Sequence, residues 1–172
     1  MHETFKLDTL LNNTEPIVSG HYRRLTVATA AGSTENVTVG ILGNHSFDLP
    51  KINDAYHGSK NRWVFATGDN QAGDWWNTLV KLDARDGSVA EEWKKPHHWP
   101  TEPVFVPRPG SDAEDDGVLL SIVLRDSGAG VPGASYLLIL NATTFETVAE
   151  AHSTLIIPYT SHGFFDNLNK LH

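Results

Sequence analysis

The apolar runs of this 172-residue chain are short, rich in Val, Ile, Leu and aromatics, and closed within a few residues by Gly, Pro, Asn or Asp. Such runs suit pleated strands and leave no sustained helical stripe. The segment TLVKLDARDGSVAEEW shows the unit clearly: a strand over 78–82, a turn at Asp86-Gly87, and a returning strand over 89–93. Glycine supplies the positive φ that such a turn requires. SYLLILNATTFETVAEA repeats the plan with a longer Asn-Ala-Thr-Thr connection. Further strands are expected near 24–29, 36–42, 62–67, 104–107, 118–124, 136–140 and 147–151, and only the opening FKLDTLLNN suggests a short helical segment. The pattern predicts an all-β chain, and by itself it fits a sandwich, a barrel or a propeller.

The length allows one domain that buries about 70% of its unfolded surface. A formal charge of −8, with basic doublets only at Arg23-Arg24 and Lys94-Lys95, argues against a nucleic-acid surface, which needs clustered cations. Cysteine is absent, so there is no disulfide framework, thiol nucleophile or thiolate metal site. Runs such as VLLSIVL fall well short of the roughly 20 apolar residues that cross a bilayer, and no charged segment followed by an apolar one opens the chain. The expectation is a soluble, cytoplasmic protein in which the sequons at Asn12, Asn36, Asn44 and Asn141 are incidental.

Three residues stand out for chemistry. His162, in IPYTSHGFF, is a loop histidine followed by a glycine that would let the backbone come close to a ligand of the ring; neutral imidazole is a common ligand of transition metals. Glu102, in TEPVFVPRPG, is pushed toward an extended conformation by Pro103. A metal-bound histidine usually gives its other ring N–H to a carboxylate or carbonyl, a role open to such an acid. Asp48, in FDLPKIN, reads by itself as a strand-end cap beside Pro50. The remaining candidates read as structural. His97 and His98 would point to opposite faces of an extended strand, so PHHWP is expected to be a polar loop. Asp112, Glu114, Asp115 and Asp116 lack calcium-loop spacing and read as a solvated turn ending at Gly117. Ser161 beside His162 is no hydrolase signal, since no GxSxG elbow occurs. Trp63, Trp75, Trp76, Trp93 and Trp99 are assigned to packing.

Taken together, TEPVFVPRPG, EDDGVLLSIVL, SYLLILNATTFETVAEA and IPYTSHGFF, in this order within residues 22 to 165, resemble the C-terminal part of the carotenoid cleavage oxygenases. These non-haem iron enzymes include the animal β-carotene oxygenases and the retinoid isomerase of the eye. The resemblance implies a seven-bladed β-propeller with iron on its axis. At about 40 to 50 residues per blade, residues 1–172 would be the C-terminal portion, an incomplete ring with open strand edges that invite pairing or aggregation. It further implies that His162 is an iron ligand, that Glu102 is a carboxylate holding a ligand histidine, and that Asp48 stands where the family has a second such glutamate. Aspartate retracts that carboxylate by about 1.5 Å.

The family binds iron through four histidines, of which this chain carries one. The implied activity of the intact protein is therefore Fe(2+)-dependent oxidative cleavage of a carotenoid or apocarotenoid double bond with O2. Shallow membrane contact through an apolar patch would suit such a substrate. Two other readings stay open: a retinoid isomerohydrolase of the same family, and a non-catalytic β-sheet fragment that binds an apolar ligand or another chain.

Overall fold

The computed structural model describes residues 22–27, 37–43, 45–68, 76–126 and 132–166; the expected helical segment at 5–13 lies outside them. The described residues are all-β apart from one 3-10 turn at Asp54–Tyr56. Strand β1 (Tyr22–Val27) pairs antiparallel with β2 (Val37–Leu42). Next, β3 (Phe47–Lys51), β4 (Trp63–Gly68), β5 (Thr78–Asp83) and β6 (Val89–Lys94) form a four-stranded antiparallel meander in chain order. The last sheet is built on β9 (Gly117–Asp126), which pairs with β10 (Pro132–Asn141), itself paired with β11 (Thr147–His152). Along the other edge of β9, β7 (His98–Pro100) and β8 (Val104–Pro107) lie end to end. They act as one interrupted strand, so this sheet is also a four-stranded meander.

Phe65 and Leu79, from the β3–β6 sheet, pack against Leu119, Val123, Tyr136, Leu138 and Leu140 of the next sheet. Phe65 stacks on Phe105 with ring centroids 5.4 Å apart. The opposite face presents Val64, Ala66, Val80 and Leu82 to Tyr22, Phe47 and Val89. Covered on both sides, β5 is buried along all six residues, which is why its sequence lacks the alternation of a half-exposed strand.

Two strands escape the sequence reading. Proline ordinarily argues against a strand, yet Pro50 lies in β3 and Pro100 ends β7. Both are edge strands, where a missing N–H costs no ladder bond. PHHWP is accordingly only half loop: His97 turns with φ 60° and His98 opens β7.

The acidic turn is also more than solvated. Glu114 Oε1 accepts the Arg62 and Trp63 amides at 2.7 and 2.6 Å. Asp115 takes the buried Lys81 ammonium at 2.6 Å, and Lys81 also donates to the Thr143 carbonyl at 3.0 Å. Asp116 pairs with Arg108. The turn staples the two meanders together, because backbone donors and a buried cation of the first sheet find their acceptors there.

Candidate metal-ligand site

The site begins at the interruption between β7 and β8. Thr101 still pairs with β9, its amide donating to the Ile122 carbonyl at 2.9 Å, and Ser121 Oγ donates to the Thr101 carbonyl at 2.8 Å. Pro103 supplies no donor, and pairing resumes at Val104. Glu102 occupies the gap with only 4% of its side chain exposed. A buried carboxylate needs partners, and Glu102 has three.

Two of them come from the C-terminal segment. After β11 the chain runs back past Ser135, whose amide donates to the Leu155 carbonyl and whose hydroxyl accepts the Ile157 amide. This tether returns residues 162–163 to β8. There His162 Nδ1 stands 3.1 Å from Glu102 Oε1, and the Gly163 amide donates to Oε2 at 2.9 Å. The third partner is Lys51, whose ammonium lies 3.3 Å from Oε1. Burial alone would raise the Glu102 carboxyl; the Gly163 amide, His162 and Lys51 outweigh it and hold the group below its ordinary range.

With Nδ1 turned to the carboxylate, Nε2 is the ring nitrogen left for a ligand, and the His162 side chain is 78% exposed. A cavity of about 170 Å³ adjoins the ring, walled by Val104, Leu120, Ile122, Leu137, Phe164 and Phe165. The arrangement can hold a neutral imidazole in one tautomer and orientation, which is what a soft-to-borderline divalent metal requires of a nitrogen ligand. Among the described residues no group of three or more His, Asp or Glu side chains is placed to hold a metal ion. This stretch therefore offers one nitrogen ligand rather than a closed site.

Asp48 is placed differently. It lies exposed in β3, and its Oδ1 accepts the amide of Leu49 at 2.7 Å. Leu49 has φ 50°, and the register slips by one residue between Asp48 and Lys51. This bulge pairs Asp48 with Thr67 and Lys51 with Phe65, so both side chains share the sheet face that packs on the second meander. The sequence reading missed Lys51, because one lysine after FDLP carries no signal until the bulge sets its direction. Gly163 is expected from the sequence to let the backbone approach a metal; what the structure shows is its amide fixing Glu102.

Comparison with known proteins gives these contacts a context. A family model described as retinal pigment epithelial membrane protein matches residues 2–167. The chain is 40% identical over 116 residues to carotenoid cleavage dioxygenase 8 homolog A of rice, covering 67% of this chain and 20% of that protein. It is 37% identical over 122 residues to human beta,beta-carotene 15,15'-dioxygenase, covering 69% and 21%. Cobalt-substituted apocarotenoid oxygenase of Synechocystis superposes with a TM-score of 0.76 at 26% identity, covering 88% of this chain and 31% of that one. The chain thus spans about a fifth of the length of the curated relatives it matches. The match takes in both Glu102 and the His162 it contacts, and on it the chain belongs to the carotenoid cleavage oxygenase family.

Proposed function

We propose that this chain is the C-terminal part, in propeller blades, of a non-haem iron(II) dioxygenase that cleaves a carbon–carbon double bond of a carotenoid or apocarotenoid. The observation that carries the reading is the buried Glu102 carboxylate aimed at His162 Nδ1, at the two motifs that match the family. His162 would hold iron through Nε2, and the three other ligands would come from sequence outside this chain. When bound, iron supplies the activation of O2 beside the polyene. The residues here fix the imidazole and wall the adjoining cavity largely with apolar side chains, beside Thr101, Ser121 and Thr160, which suits contact with part of a hydrocarbon.

Asp48 is proposed as a second ligand-holding carboxylate, supported by its place on the sheet face it shares with Lys51. In a protein with all four histidines, Asp48→Glu should maintain or raise iron occupancy; lost folding would assign Asp48 to its cap on Leu49. A cytoplasmic location is part of the proposal; shallow membrane contact there is supported by the exposed Leu155, Ile156, Phe164 and Phe165, and sedimentation with neutral lipid vesicles tests it.

The deciding experiment for the function is metal and product analysis. The 172-residue chain should carry far less than one iron and leave β-carotene unconsumed, whereas a protein extended upstream to four histidines should bind iron and release aldehyde or ketone products. His162→Ala in that longer protein should abolish both. One tightly held iron on the short chain would overturn the ligand assignment.

A further inference from the structure

Lys51 has no role in the ligand reading of FDLPKIN, yet its ammonium sits 3.3 Å from the same Glu102 oxygen that faces His162 at 3.1 Å. The carboxylate cannot turn to serve the two separately, because its other oxygen accepts the Gly163 amide at 2.9 Å. Nor does Lys51 reach it by chance of flexibility: the extra residue at Leu49, held by the Asp48 carboxylate, sets the lysine on the face toward Glu102. One oxygen can accept two donors, but a cation on it reduces the negative potential felt by the second. We infer that Lys51 is a positioning residue of this site, which locks Glu102 in place and tempers the hydrogen bond that Glu102 accepts from His162.

This rests on the proposed ligand role of His162 for its consequence. A carboxylate partner raises the basicity of a ligand imidazole, so a half-neutralised carboxylate yields a more moderate donor. The contact also ties a hydrogen bond of the second meander to β3 of the first.

The test is nuclear magnetic resonance of the 172-residue chain, reading the His162 ring nitrogens through its carbon-bound protons. In Lys51→Met the unshared carboxylate should pull harder: the Nδ1–H proton moves downfield and the share of the Nδ1–H tautomer rises. Lys51→Gln, one bond shorter but still a polar donor without the charge, should do the same and guards against a packing defect. Lys51→Arg should retain the original spectrum. An unchanged ring in both neutral variants, or an upfield movement, would overturn the inference. Glu102→Gln separates the two readings. If it alone alters the ring, Lys51 has no tempering role while the Glu102–His162 pair stands; if it too changes nothing, the pair itself is wrong.

Discussion

Glu102 and His162 are sixty positions apart in the chain and meet through Oε1 and Nδ1 at 3.1 Å, while the amide next to His162, that of Gly163, donates to Oε2. The carboxylate thus clamps the ring and the backbone behind it. Glu102→Ala should release both. A hydrogen bond to a charged group contributes about 1.5–3 kcal/mol, so hydrogen exchange at the Gly163 amide should accelerate by roughly 10- to 100-fold. Exchange within β9 and β10 should stay unchanged, and a Gly163 amide that exchanges at its original rate would show that the clamp does not hold the segment.

Lys81 is the buried cation of the inter-sheet staple, 2.6 Å from Asp115 and 4.4 Å above the Trp63 ring. Removing one partner of a buried pair strands the other, a loss of about 3 kcal/mol. Lys81→Met should therefore lower stability in urea unfolding by that order, with a change in Trp63 fluorescence. Adding Asp115→Leu should recover most of the loss, since the stranded carboxylate is then gone.

Asp83 is held well below the ordinary carboxylate range, first by hydrogen bonds from the Arg85 side chain, against the opposing effect of burial, and then by the Arg85 amide and Arg62. A folded-state value below the unfolded one means that this stabilisation is complete above the ordinary aspartate range, about pH 4, and is lost as pH falls toward the folded value. Asp83→Asn should flatten the fall of Tm with acid, and equal acid slopes in the two proteins would contradict the assignment.

Tyr136 is almost fully buried, and among the described residues its hydroxyl has no hydrogen-bond partner. Burial, with the charge of Glu150, pushes the phenol up from 10.0 to about 12, against the nearby Arg125. Here the folded value is raised, so the contribution to stability is complete below the ordinary phenol range and is lost as pH climbs from 10.0 to about 12. Absorbance titration should show one late phenol that Tyr136→Phe removes. That substitution should also raise stability by up to about 1 kcal/mol, because it deletes a buried polar group that gains nothing in the fold.

The sequence by itself determined the β-class, the hairpins around Asp86-Gly87 and Asn141–Thr144, and the two motifs that carry Glu102 and His162. These features are local: alternation, turn residues and short motifs act within a few positions. It did not reveal β3 or β7, because a proline weakens a strand signal unless the strand is known to lie on an edge. It also left the acidic residues 114–116 as a turn, since their partners Arg62, Trp63 and Lys81 stand on another sheet. Lys51 shows the limit most clearly. Its direction depends on a one-residue register slip at Leu49, and its partner on how two meanders pack. Electrostatic effects act through space, so only the tertiary structure could decide that Glu102 serves a lysine, a histidine and a glycine amide at once.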